Sequence, residues 1–196
     1  MTLSLQPFLQ AIAAGDDTQS EAAVAQLQPT AEPALLHLLR SGDGEQRWWA
    51  ARALAHWGGE SAVNPLAGAL TDADPQLRAV VTVALGQLYA RAPATVAPVL
   101  AQVAARLEDE EGYVRQAAAD ALAHCGNDAV PPLAQVLRGD HQGARSRATA
   151  ALRKIATMPA AAVLYQHLND PNYLVRTYAY EGLDEMGLLE NVLLVV

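Results

Sequence analysis

Apolar residues recur along this chain in a pattern that repeats five times. With Arg47, Arg78, Arg115, Arg145 and Arg176 aligned as anchors, a leucine stands seven residues after each: Leu54, Leu85, Leu122, Leu152 and Leu183. Three residues after the anchors stand Ala50, Val81, Ala118, Ala148 and Ala179. Six after stand Ala53, Ala84, Ala121, Ala151 and Gly182, and ten after stand Trp57, Leu88, Cys125, Ile155 and Met186. At about 100° per residue, positions −1, +3, +6, +7 and +10 lie on one side of a helix and leave a polar arc opposite. The anchors are 31, 37, 30 and 31 residues apart, so each period holds two helices.

The first helix of each period carries the anchor. It is expected to end in a turn at Gly58-Gly59, Gly126 or Gly187, with glycine as the left-handed cap. The second helix is predicted over 61–70, 94–107, 129–137 and 160–168, and several of these open with Pro in the first turn or two. Short acidic turns at 71–75, 108–112 and 169–172 lead to the next anchored helix. Upstream, 20–28 and 31–40 form a degenerate repeat, preceded by a helix over 3–14.

One layer of such helices cannot bury its apolar face alone, so neighbouring repeats must share a core. The pattern predicts an all-α, right-handed α-solenoid (a superhelix) of about six helix pairs, in one domain spanning 1–196. Its parts are a degenerate cap over 1–42, five anchored repeats over 43–187 and a truncated helix over 188–196. The 37-residue repeat is expected to carry the longer second helix and a local bulge.

Composition agrees with this class. The chain is 52% hydrophobic, largely Ala, Leu and Val, with a single Phe, and alanine is the best helix former. The net charge of −8, without a basic tract, argues against nucleic acid as a partner. One cysteine excludes an internal disulfide and fits a reducing compartment. The first 14 residues hold no Lys or Arg, unlike the basic start of a signal peptide. The apolar stretch 92–105 is 14 residues long and contains Pro93 and Pro98, against about 20 residues for a membrane span. A soluble cytoplasmic chain without membrane contact is the expectation.

The helix–turn–helix period, with an early Arg preceded by segments such as Asp-Pro-Gln-Leu-Arg (74–78) and Tyr-Leu-Val-Arg (173–176), resembles HEAT repeats. Units near 30 residues are shorter than ordinary HEAT units of about 40–47 and are similar to the short repeats of the phycobilin lyase E/F group. The resemblance spans roughly residues 20–187. It implies a chain that works with a second HEAT-like chain on a phycobiliprotein subunit. The substrate it implies is an open-chain bilin such as phycocyanobilin, attached to or removed from a client cysteine, with no stably bound cofactor. That group has no short catalytic motif to place on this chain, so no catalytic residue is assigned. The alternative is a non-catalytic adaptor or assembly factor. Its concave second-helix surface would be lined by His37, Arg40, Asn64, Gln102, Arg106, Gln135, Arg138 and His167.

Candidate chemistry is sparse. Cys125 shares its position with Leu88 and Ile155 and is expected in the core. The histidines do not cluster, and no His-Glu pair occurs, which sets the chain apart from the related di-iron deoxyhypusine hydroxylases. No metal site is expected. The turn acids Asp43, Asp72, Asp74, Asp109, Glu110, Asp140 and Asp170 are expected to cap helices. The anchor arginines are expected to pair with an Asp of a neighbouring repeat.

Trp48 falls in the middle of the polar arc, where other repeats hold Ala79, Gln116, Ser146 and Thr177. Trp49 lies at the arc's edge, with Arg52 and His56 one and two turns beyond Trp48. Exposed, this set suits a flat conjugated ligand with propionates, or a protein hot spot. A register shift that tucks Trp48 under the N-terminal helix is the other placement the pattern allows. The apolar stretch 188–196 either folds back over the last repeat or presents an edge for a partner or dimer contact; Tyr173, Tyr178 and Tyr180 near it would supply interface aromatics, and the contact is the expectation.

Overall fold

The computed structural model describes residues 5–189. Every regular element among the described residues is helical. The chain divides into two compact units, 1–99 and 100–196.

In the first unit, α1 (Gln6–Ala13), α2 (Asp17–Gln26), α3 (Glu32–Ser41), α4 (Gly44–Trp57), α5 (Glu60–Gly68), α6 (Pro75–Tyr89) and α7 (Pro93–Val96) form two layers. One layer runs α2, α4, α6 and the other α3, α5, α7, with α1 packed on α2 and α4. In the second unit, α8 (Leu100–Ala105), α9 (Gly112–His124), α10 (Val130–Leu137), α11 (Gln142–Ile155), α12 (Met158–Gln166) and α13 (Tyr173–Glu185) repeat the plan. There α9, α11 and α13 pack side by side, as do α8, α10 and α12. These are the stacked helix pairs of an α-solenoid.

The core follows the period. The +7 leucines and the +3 residues are no more than 2% exposed in all five repeats. A second register, eight residues before each anchor, supplies Leu39, Leu70, Leu107, Leu137 and Leu168, all buried. The +10 position is less uniform: Leu88 and Cys125 are fully buried, whereas Trp57, Ile155 and Met186 are half-buried.

The turns between repeats obey one rule. The residue four before each anchor opens the next anchored helix, and its side chain caps it in four of five cases. Asp43 accepts from the Gln46 N–H, Asp74 from Gln76, His141 Nδ1 from Ala144, and Asn172 from Leu174 and Val175. Six before the anchor, Asp72, Asp109 and Asp170 accept the N–H two residues on, at 3.0, 3.1 and 2.9 Å. The anchors hold these turns. Arg47 and Arg145 reach forward to the carboxylates of Asp72 and Asp170. Arg115 and Arg176 donate to the carbonyls of the turn behind them, Asp109 with Glu110 and Asp170 with Pro171. Arg78 does the same at Asp72 and Ala73.

Two details differ from the expectations. The second helix over 94–107 is broken: α7 passes through a 3-10 turn at Ala97–Val99 before α8 begins. Pro98 lacks the N–H an α-helical turn needs there and crowds the turn before it. The boundary between the units falls at this break. The glycine caps also hold only in part. Gly126 and Gly187 are left-handed (φ +55° and +68°), but Gly58 and Gly59 are not, and Ala156 takes the left-handed role after α11 at φ +50°. A Cβ is strained in that conformation. Ala156→Gly is therefore expected to raise stability by about 0.5–1 kcal/mol in urea unfolding, the relief of strain outweighing the added chain freedom.

Candidate functional site

A half-open groove of about 490 Å³ lies in the first unit. Its walls come from the end of α1 (Ile12, Ala13) and the first turns of α4 (Asp43, Gly44, Glu45, Gln46, Trp48) and α6 (Asp74, Gln76). The sequence builds it by stacking. Asp43 and Asp74 occupy the same turn position in successive repeats, and α4 packs against α6. Each aspartate spends one oxygen on its cap (Gln46 and Gln76 N–H, both 2.9 Å). Asp43 is part of a full capping box with Gln46. Glu45 is exposed. Among the described residues no basic side chain lines the groove.

Trp48 stands between its two anticipated placements. It is half-buried, meets α1 across the groove, and is met edge-on by Trp49 with ring centroids 4.9 Å apart. Trp49 itself is 5% exposed and belongs to the core of the unit rather than to its surface. One edge of Trp49 shows in a shallower depression along α2 with Asp17, Thr18, Glu21, Ala22 and Ala25.

Arg52 and His56 are not part of the Trp48 groove. Arg52 is committed to Glu21 of α2 and to the His56 ring. Burial and the neighbouring Arg52 charge, with a smaller push from Arg91, hold the His56 imidazole below its usual range, against the opposing pull of Glu21. A histidine whose folded value lies below its unfolded one binds more protons when unfolded. Its contribution to stability is present above about 6.5 and is lost as pH falls through the lowered folded value. An NMR titration of His56 is expected to show a midpoint below that of an unfolded reference peptide, and Arg52→Gln is expected to raise it.

The tyrosines lie in the second unit, on α13. Tyr173 (68% exposed) and Tyr180 (49%) share one face with Thr177, and Tyr178 is half-buried on another. The Arg176 guanidinium sits 5.9 Å from the Tyr173 ring centre. Arg153 of α11 pairs with Glu181 and Glu185, on the flank of α13 beside that face. The dimer contact anticipated for 188–196 lies almost wholly outside the described residues; Leu188 and Leu189 are half-buried. Of the second-helix residues anticipated as a binding surface, His37, Arg40, Asn64, Gln102, Gln135 and Arg138 are exposed, and Arg106 and His167 half-buried.

Cys125 is buried, and burial together with Asp128 pushes its thiol up to about 12. A thiol of that acidity carries no thiolate near neutral pH and is not a nucleophile. No cluster of three or more His, Cys, Asp or Glu suited to a metal ion occurs among the described residues. No described helix is long and apolar enough to cross a membrane.

Sequence reasoning missed the groove's acidic wall. Asp43 and Asp74 were legible as caps, and they are caps. The signal for more was their shared register beside an aromatic residue on the polar arc.

Three solved structures share the fold. The Escherichia coli protein YibA is 20% identical with a TM-score of 0.61, over 97% of this chain and 74% of that one. A designed armadillo repeat protein in complex with the peptide (KR)4 is 17% identical with a TM-score of 0.54, over 94% and 100%. The complex of CpcE and CpcF of phycocyanin lyase from Nostoc sp. PCC7120 gives 22% and 0.52, over 97% and 79%. No curated protein matches the chain. The model for HEAT repeats matches residues 31–106 and 97–184, most of the chain and all five anchored helices. The chain belongs to the HEAT repeat family.

Proposed function

We propose that the chain is a non-catalytic protein-binding scaffold whose first unit grips a basic segment of a partner in the Trp48 groove. One observation carries this reading: an indole wall and three acidic residues, Asp43, Glu45 and Asp74, line a groove that no basic residue lines among those described. The helix dipoles do not cancel that charge. The starts of α4 and α6 contribute roughly +0.5 each against three negative charges, leaving about −2. A Lys or Arg side chain entering the groove meets carboxylates on two sides and an aromatic face, an attraction of about 0.5–2 kcal/mol for the ring alone. The designed armadillo protein, similar in fold, is in complex with a peptide of alternating Lys and Arg. That likeness supports the chemistry of the partner without identifying it.

A second reading is a phycobilin lyase-type subunit. It is supported by the repeat length near 30 residues and by the likeness to the CpcE and CpcF complex. In this reading a second HEAT-like chain joins this one. Together they hold phycocyanobilin or a phycobiliprotein subunit so that the client thiol is oriented for attachment or removal, by proximity alone. A propionate would have to displace Glu21 from Arg52.

One titration separates the two. Tryptophan fluorescence is followed as a (Lys-Arg)4 peptide or phycocyanobilin is added to the wild type and to Trp48→Ala. The scaffold reading expects a saturable change with the peptide that Trp48→Ala weakens at least about tenfold, and no saturable change with the bilin. A red-shifted bilin spectrum with no response to peptide would replace it with the second reading.

A further inference from the structure

The Trp48 groove carries its acids at a fixed spacing. Asp43 and Asp74 stand four residues before successive anchors and line the groove from the starts of α4 and α6. Each accepts its cap N–H on Oδ1, from Gln46 and from Gln76. Among the described residues no other hydrogen bond or ion pair reaches the Oδ2 of either, or the Glu45 carboxylate. Asp43 and Glu45 are exposed and Asp74 half-buried, so a partner's cation has access to them. Packed helices lie about 8–10 Å apart, and equivalent positions on α4 and α6, which pack together, are separated by about that distance. A tie between the two turns holds it. Arg47, one turn past Asp43, pairs with Asp72, and Asp72 Oδ1 accepts the Asp74 N–H at 3.0 Å. In the second unit the same register holds Glu111, His141 and Asn172, so no two acids follow each other there.

Few backbones present two side chains to one surface at that distance. In an extended strand, residues i and i+2 are about 6.5 Å apart and residues i and i+4 about 13 Å. An α-helix reaches about 10.5 Å at i and i+7, but at a diameter of about 10–12 Å that segment fills roughly twice the 490 Å³ of the groove. A polyproline II helix has three residues per turn and rises about 3.1 Å per residue, so residues i and i+3 share one side about 9.3 Å apart. Its intervening residues, proline above all, pack on an aromatic wall. Trp48 supplies that wall, with Ile12 and Ala13 beside it.

We propose, resting on the scaffold reading, that the groove recognises a polyproline II segment with two basic residues three positions apart. One meets Asp74 and the other meets Asp43 with Glu45.

The test is fluorescence anisotropy of labelled peptides with the full chain. A proline-rich host carries lysines at i and i+3 or at i and i+2, a Gly-Ser host carries them at i and i+3, and (Lys-Arg)4 is the reference. In the proline-rich host the i, i+3 peptide is expected to bind about fivefold more tightly than the equally charged i, i+2 peptide, the gain of one exposed ion pair. The Gly-Ser host is expected to bind about threefold more weakly than its proline-rich counterpart, because it loses more chain freedom on binding. Asp74→Asn keeps its cap and is expected to bring the i, i+3 peptide down to the affinity of the i, i+2 peptide, which changes by less than about twofold. Equal affinity for the two spacings or the two hosts, a preference that survives Asp74→Asn, or binding of (Lys-Arg)4 alone would overturn the proposal and leave the scaffold reading standing. No saturable binding of any peptide, (Lys-Arg)4 included, would overturn both.

Discussion

Asp170→Ala is expected to destabilise the chain by about 3–5 kcal/mol, the cost of leaving one member of a buried ion pair alone. The Asp170 side chain is 5% exposed and that of its partner Arg145 14%. The carboxylate accepts the Arg145 guanidinium and the Asn172 N–H at 2.9 Å, so one substitution removes a charge partner and opens the turn before α13. Arg145 is left buried with its charge uncompensated, and its Nε already has no partner. Asp170→Asn keeps an acceptor for the turn and is expected to cost less. The equivalent pair in the first unit, Arg47 with Asp72, is more exposed at 27% and 19%. Asp72→Ala is therefore expected to cost less than Asp170→Ala in urea unfolding at unchanged m-value. Equal costs would mean that burial does not set the strength of these rungs. The hydrogen bond from Arg47 holds the Asp72 carboxyl below the usual carboxylate range, against the effect of burial. That contribution is present above the unfolded value near 3.9 and is lost as pH falls through the lowered folded value.

Leu122→Ala is expected to cost about 3–5 kcal/mol. Leu122 is fully buried at the +7 position of α9, which packs against α8 and α11. Truncation removes one methine and two methyl groups of apolar contact and leaves a cavity between two layers that are each fixed by further repeats. Such sites relax little, and measured costs for buried leucines run from about 2.7 to 5.0 kcal/mol. The same change at Leu54, Leu85 or Leu152, each fully buried in the same register, is expected to fall within that range. Tyr180→Ser on the exposed face of α13 serves as the control and is expected to change stability by less than about 0.5 kcal/mol.

The anchored helices were legible because their period is strong: Leu54, Leu85, Leu122, Leu152 and Leu183 recur in register and all go to the core. Of the turn acids expected to cap, Asp43 and Asp74 do so; Asp72, Asp109 and Asp170 accept within the turns instead, and His141 and Asn172 supply the caps of α11 and α13. What the linear pattern does not contain is the contact between repeats. Arg52 stands one turn from Trp48, yet its guanidinium is taken by Glu21, 31 residues earlier. Trp49 lies at the edge of a helical arc that, on a single helix, is surface; the neighbouring helices close over it. Pro98 interrupts a helix whose apolar pattern runs on without a break. The acidic groove likewise exists only because stacking brings two caps from successive repeats to one indole.

The most direct test of the scaffold reading removes the charge of the groove and nothing else. Asn caps helices as well as Asp does, so Asp43→Asn and Asp74→Asn, combined with Glu45→Gln, neutralise the wall while keeping both caps. The binding of a fluorescein-labelled (Lys-Arg)4 peptide is measured by anisotropy for the wild type and this triple variant, with circular dichroism confirming equal helicity. Loss of affinity by about tenfold or more, as expected for three weakened ion pairs of up to about 1 kcal/mol each, is the predicted result. Equal affinity in the two proteins, or no saturable binding by the wild type, would contradict it.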